Sequence, residues 1–173
     1  MSDDTPLTWC DADLSDDGLY RYRLTRRWGN RAAPNVCWIM LNPSTADAVE
    51  DDPTIRRCIG FSQAWGFDSL TVVNLFALRS TDPKGLLGSD DPIGPDNDHA
   101  IRLAALEATR CIAAWGTKGG YRQRNSDVIR MVTGDCMEPL HALAITKDGH
   151  PKHPLYVKGD TAPTLFREVP DDH

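Results

Sequence analysis

No stretch of this chain is apolar for anything near the roughly 20 residues that a membrane-spanning helix needs. The longest uninterrupted apolar run, residues 36–41, is six residues long. The opening Met1-Ser2-Asp3-Asp4 is acidic where a secretory leader would be basic, so a cytoplasmic protein without a membrane partner is expected. Cysteine is sparse and badly placed for chemistry. Cys10, Cys37, Cys58, Cys111 and Cys136 are odd in number, widely spaced and free of any C-x-x-C pair, which suits reduced, mostly buried thiols. Neither a metal nor a cofactor is expected. The glycines make no G-x-x-x-x-G-K-[ST] and no G-x-G-x-x-G, so a phosphate-loop NTPase and a dinucleotide-binding enzyme are both set aside. No G-x-S-x-G elbow is present either, which removes the commonest acyl-transfer architecture.

Positive charge is the other shortage. The formal net charge is −6. Residues 1–17 hold six aspartates and no Lys or Arg, so the remaining body sums to zero. A neutral body argues against tight nonspecific binding to DNA, which draws on several phosphate contacts. Two basic clusters stay open to two readings, a local groove or solvated surface charge: Arg21, Arg23, Arg26, Arg27 and Arg31, then Lys118, Arg122, Arg124 and Arg130.

What is present is an alternation of strands and helices within a length that fits one domain. We expect an acidic N-terminal lead-in over residues 1–17 and one α/β domain over 18–173. Tyr20-Arg21-Tyr22-Arg23-Leu24 alternates large and charged groups as an edge strand does. Residues 36–41 are apolar without alternation and suit a strand covered on both faces, ended by Pro43, which has no backbone donor. A helix is expected from Pro53 to Gly66, a second buried strand over 69–75, a helix over 96–108, a third strand over 111–115, a short helix over 125–132 and a fourth strand over 140–145. Residues 79–98 are a long turn-rich excursion, the kind that serves as a lid or binding element. The expected fold is a three-layer α/β/α sandwich around a mostly parallel four-stranded sheet with an N-terminal edge strand.

Ligands of parallel sheets sit beyond the carboxyl ends of the strands. The polar residues at those ends are Asn42, Ser44 and Thr45 after the first buried strand, Asn74 at the end of the second, Thr117 after the third, and the segment Gly149-His150-Pro151-Lys152-His153-Pro154-Leu155-Tyr156 after the fourth. They are the candidate site.

In order and content these segments resemble the uracil-DNA glycosylase-like superfamily. Leu41-Asn42-Pro43-Ser44 is similar to the first motif of its mismatch-specific branch, and Asp52-Pro53-Thr54-Ile55-Arg56-Arg57 to the helix that follows. Val72-Val73-Asn74-Leu75 resembles the strand whose terminal Asn reads a base edge, Ala114-Trp115-Gly116 the third strand end, and His153-Pro154-Leu155 the last motif. The stretch from Tyr22 to Thr81 with His153-Pro154-Leu155-Tyr156 looks closer still to an uncharacterised bacterial and phage family, domain of unknown function 1643. The sequence departs from the superfamily where the last motif lacks its Ser-Pro and where no aromatic residue follows Pro43.

The resemblance implies hydrolysis of the N-glycosidic bond of a modified or damaged nucleobase, in DNA or in a free nucleotide. Asn42 would position the water, and because an amide is a poor base, Asp47, Asp51 or Asp52 would assist it. His153 would donate to the departing base, with His150 as the other candidate. Asn74 would read the base edge, Tyr156 or Phe76 would stack, and Arg57, Arg122 or Lys152 would hold phosphate, with Ser44, Thr45 and Thr117 on the rim. The neutral body tilts the expected partner toward a nucleotide or single-stranded nucleic acid, because base flipping from a duplex draws on a stronger positive groove. A monomer or weak dimer is expected. The competing reading keeps the fold as a non-catalytic nucleotide or nucleic-acid binder, in which Asn42 is only a turn cap before Pro43.

Overall fold

A computed structural model describes residues 6–29, 34–44 and 46–171. Seven strands form one sheet: β1 (Trp9–Leu14), β2 (Arg21–Arg27), β3 (Asn35–Met40), β4 (Ser69–Asn74), β5 (Arg110–Ala113), β6 (Leu140–Ala142) and β7 (Thr164–Arg167), in the order β1-β2-β4-β3-β5-β6-β7. Three α-helices accompany it: α1 (Pro53–Ala64), α2 (Asn97–Glu107) and α3 (Arg124–Arg130). The fold is mixed α/β. The pairings of β3 with β4, β3 with β5 and β5 with β6 are parallel, while β1 with β2, β2 with β4 and β6 with β7 are antiparallel. Antiparallel pairing is therefore half of the sheet, more than an expectation of four mostly parallel strands and one edge strand allows.

The lack of alternation in β3 has a direct cause: both faces are covered. Val36, Trp38 and Met40 join one apolar cluster with Ile55, Cys58 and Phe61 of α1, while Cys37 and Ile39 join the other with Ile101, Ala104 and Ala105 of α2 and Val128 of α3. On the α1 side Trp38 is fully buried, stacks on Trp65 at 5.5 Å and donates its indole N–H to Ser62 Oγ at 3.0 Å. Ser62 passes a hydrogen bond on to Cys58 O at 2.7 Å, so the one polar atom of the indole is satisfied inside the core. Asp52 starts α1 by accepting from Ile55 N at 2.9 Å, Pro53 takes the first position, and Gly66 follows the last turn with φ +85.

One expected strand has different surroundings, and two unexpected strands, β1 and β7, join the sheet. The strand expected at residues 20–24 extends to Arg27 and lies inside the sheet, because the acidic lead-in supplies β1 beside it. In β1 Asp11 and Asp13 occupy the wet face, opposite Thr25 and Arg23, and alternate with Cys10, Ala12 and Leu14, a short period-2 pattern inside an acidic segment. The second addition, β7, is short and exposed at most positions, so it carries no apolar pattern. The strand expected over 140–145 ends at Ala142, and the helix expected over 125–132 runs over α3 and continues as a π-helical turn from Met131 to Asp135.

Among the described residues no helix is long and apolar enough to cross a membrane. All five cysteines are free, and all but Cys10 are buried. Burial pushes the Cys58 thiol well up, and Cys37 is raised too, chiefly by its hydrogen bond with Cys111.

Truncating Trp38 removes the shared wall of α1 and the sheet. Trp38→Ala should cost about 3–5 kcal/mol of unfolding free energy, measured by urea denaturation; a loss below about 1 kcal/mol would show that this face of the core is not what holds α1.

Candidate functional site

A cavity of about 430 Å³ opens beyond the carboxyl ends of β3, β4 and β5, a size common to small-ligand sites. Each wall is a strand end followed by a loop. Met40, Leu41, Asn42 and Ser44 come from β3, Val72 and Asn74 from β4, and Trp115, Gly116, Thr117 and Lys118 from the segment after β5. His153, Leu155 and Tyr156 reach it from the loop after β6, and Asp52, Thr54 and Ile55 from the start of α1. Backbone bonds hold these pieces together: Gly116 N donates to Pro151 O at 2.9 Å, and Ser80 N to Pro43 O at 3.1 Å.

Seven of the residues expected at the site line this cavity: Asn42, Ser44, Asp52, Asn74, Thr117, His153 and Tyr156. Asn74 is the most informative. It is 1% exposed, yet neither its amide nitrogen nor its amide oxygen has a hydrogen-bond partner among the described residues. A buried amide in that condition costs about 1–3 kcal/mol per orphaned group, and native interiors contain few. Asn42 is differently placed. Its Nδ2 donates to Ser80 O at 2.9 Å and Pro43 O at 3.1 Å, which leaves the Oδ1 acceptor uncommitted. Asp52 accepts from Ser44 Oγ at 2.5 Å as well as from Ile55 N, so two of its roughly four acceptor positions are used.

His153 caps the turn Pro154–Tyr156, its Nδ1 accepting from Leu155 N at 3.2 Å. That bond fixes the tautomer and leaves Nε2–H as a donor. Burial pushes its proton affinity below the ordinary value of 6.5, with the Asp52 charge opposing, so the ring is neutral at pH 7. Tyr156 is 79% exposed, its ring 5.8 Å from the His153 ring, at the mouth.

Three expected site residues lie elsewhere. Phe76 is fully buried in the core against Tyr121 at 5.7 Å, because Leu75 and Phe76 extend β4 past the cavity by bonding to Met40 O and Leu41 O. Arg57 bonds Pro154 O at 3.3 Å and also Val157 O, with its guanidinium over Phe61, so it fastens the His153 turn to α1 and has no free fork for phosphate. His150 does not line the cavity; its backbone is tied to Thr146 by bonds of 3.0 and 2.8 Å. Thr45 lies outside the described residues.

Arg21 and Trp115 line the cavity without an expected role. Arg21 is 2% exposed, donates from Nη1 to Ala46 O at 2.6 Å, and leaves Nε without a partner. Burial pushes it down to about 10, against the pull of Asp52, so it is cationic at neutral pH. Trp115 is 2% exposed and its indole N–H is also unpartnered. A side chain on Gly119 would collide with it, since a Cβ there would stand 2.4 Å from Trp115 Cδ1. Ser80 and Thr81 bring the start of the long excursion to the rim. The one available signal for Arg21 was its place in a strand whose other charged positions alternate with apolar ones. Among the described residues no group of three or more His, Cys, Asp or Glu could hold a metal ion.

Over residues 21–155 the chain matches the family described as protein of unknown function (DUF1643). It belongs to that family. The matched region includes every wall of the cavity except Tyr156. No curated protein and no solved structure matches the chain.

Two outcomes follow from this geometry. Asn74→Leu removes two orphaned polar atoms at similar volume, so the ligand-free protein should be as stable as the wild type or more stable, by up to about 3 kcal/mol in chemical denaturation; a clear loss of stability would mean that the amide is satisfied after all. In NMR titration His153 should reach its midpoint below 6.5, and Asp52→Asn, which keeps a capping oxygen but removes the charge, should lower that midpoint further. The sign follows from neutrality: the folded state disfavours the imidazolium, so its contribution to stability is complete above about 6.5 and declines as the pH falls from there. A midpoint at or above 6.5 would contradict the assignment.

Proposed function

We propose that the cavity binds a nucleobase and hydrolyses its N-glycosidic bond, acting on a modified or damaged base in DNA or in a free nucleotide, within the uracil-DNA glycosylase-like superfamily. The observation that carries this reading is the Asn74 amide, buried with both its donor and its acceptor unpartnered beside the cavity. A base edge offers an acceptor and a donor side by side, which is the complement of a carboxamide. The rest of the lining fits the same reaction. Cleavage passes through a sugar with oxocarbenium character and a departing base that gathers negative charge. His153 presents a neutral N–H that can stabilise the leaving base by a hydrogen bond. Asn42 Oδ1 and the unused acceptor positions of Asp52 can hold the attacking water, whose oxygen bonds to the sugar carbon as the base leaves with the electron pair of the broken bond. Tyr156 can close over the base at the mouth.

A second reading is favoured by one specific observation. The donor end of Asn42 is spent on two backbone carbonyls and Asp52 serves as the helix cap, so the water-activating side of the site is the less developed one. On that reading the protein binds a nucleotide or single-stranded nucleic acid without turnover.

Base release from a panel of modified nucleotides and oligonucleotides separates the two. For the hydrolase, wild-type protein should liberate free base, and Asn42→Ala and His153→Ala should each slow release by roughly 100-fold or more. Equal release by wild type and Asn42→Ala would remove that residue from the reaction. Saturable binding without release, lost in Asn74→Ala, would establish the binder.

A further inference from the structure

Arg21 is the part of the cavity that neither reading above uses. Buried guanidinium groups are ordinarily paired with a carboxylate. The protein follows that rule elsewhere: Arg26, fully buried, bonds Asp51 at 2.8 Å, and Arg124, nearly so, bonds Asp98 at 2.6 Å. Arg21 is equally buried and makes no ion pair among the described residues. Asp52 shares the cavity and favours the charged form of Arg21, but it lies beyond ion-pair distance, with its oxygens engaged by Ser44 and Ile55. Arg79 adds a second positive charge near Arg21, and Lys118 stands exposed at the rim. The guanidinium is held in place by Ala46 O and keeps an unpartnered Nε in a cavity open to a ligand.

We propose that Arg21 is an anion subsite for a terminal phosphate monoester, so that the ligand is a nucleoside 5′-monophosphate, free or at the end of a strand, with its base on Asn74. This rests on the nucleobase reading of the same cavity. A planar guanidinium offers parallel N–H donors that match phosphate oxygens. An internal phosphodiester would have to carry two chain continuations back out through the mouth from a residue only 2% exposed, whereas a terminal phosphate needs one at most. Enclosure of both ends of one nucleotide also accounts for a site of this size on a body with no net charge to attract a duplex.

Calorimetric titration tests the proposal with inorganic phosphate, the four common deoxynucleosides, their 5′-monophosphates, and short single strands with and without a 5′-phosphate. At least one monophosphate should bind tenfold or more tightly than its nucleoside, inorganic phosphate should compete, and Arg21→Gln should abolish the difference. Free nucleotide and 5′-phosphorylated strand distinguish the two sources of the monoester. In the wild type, independent of whether Arg21→Gln folds, the Nε–H resonance of Arg21 should shift with monophosphate and not with nucleoside. Equal binding of nucleoside and monophosphate with no such shift overturns the anion subsite and leaves the base reading standing. Phosphate binding that depends on Arg21 but gains nothing from any base, with Asn74→Ala silent, upholds the subsite and removes the base reading. Strands lacking a 5′-phosphate that bind as tightly as those bearing one overturn the terminal monoester, as does a failure of every probe to bind.

Discussion

The carboxyl end of β4 gathers three buried side-chain hydrogen bonds. Asn97 Nδ2 donates to the carbonyl oxygens of Asn74 and Leu75 at 2.9 and 3.1 Å, and Arg124 Nε reaches Leu75 O at 2.7 Å while its Nη2 is held by Asp98 at 2.6 Å. A central strand that stops in the interior leaves carbonyls with no ladder to join, and each would be costly if orphaned. Two residues from α2 and α3 close that account, so the backbone of Asn74 is fixed from behind. The side chain of the same residue is left without a partner among the described residues. The contrast marks the cavity: the Asn74 and Leu75 carbonyls are satisfied from behind, while the Asn74 amide that lines the hollow is not.

The same logic separates Arg21 from the arginines around it. β1 and β2 set aspartates opposite a basic strand, with Asp13 across from Arg23, and Arg23 itself pairs with Glu107 at 2.8 Å. Arg26 is surrounded by Asp51 and by the carbonyls of Thr25 and Asp47. What reads in one dimension as an acidic lead-in followed by a basic cluster is, in the sheet, partly compensated from within, through Arg23 with Glu107 and Arg26 with Asp51. Arg21 stands at the inner end of this layer, where β2 passes the end of β4 and Arg21 N donates to Ala77 O at 2.9 Å. Its burial without a carboxylate is an electrostatic cost that the unliganded protein carries.

Strand ends were legible because burial on both faces leaves a continuous apolar word, as in Val36 to Leu41, and because Pro43 and Asn74 mark where that word stops. Proximity to a strand end did not settle which residues face the cavity. Phe76 lies two residues beyond Asn74 and points into the core, since the chain keeps pairing after β4 by bonding to the loop from β3. His150 and His153 are indistinguishable by type, and only the turn begun by His153 Nδ1 separates them. Arg21 was hidden for the opposite reason. A long cation in an alternating strand reads as the wet face, and its burial follows from contacts with the 46–52 segment that no local pattern announces.

The helix α1 connects two sides of the cavity more tightly than its sequence suggests. Its cap residue, Asp52, is bonded to Ser44 on the β3 side, and one turn further on Arg57 holds the carbonyls of Pro154 and Val157 on the His153 side. Trp65 at its end donates to Thr161 O at 3.1 Å, which secures the same loop again. The loop carrying His153 follows a strand of only three residues, so the sheet alone gives it little definition. Its placement comes from α1 together with the backbone bond from Gly116 N to Pro151 O, and α1 is placed by the Trp38 face of the core. Packing on one side of the sheet thus reaches the imidazole through α1, so a change in that packing can be felt at the cavity without any lining residue being altered.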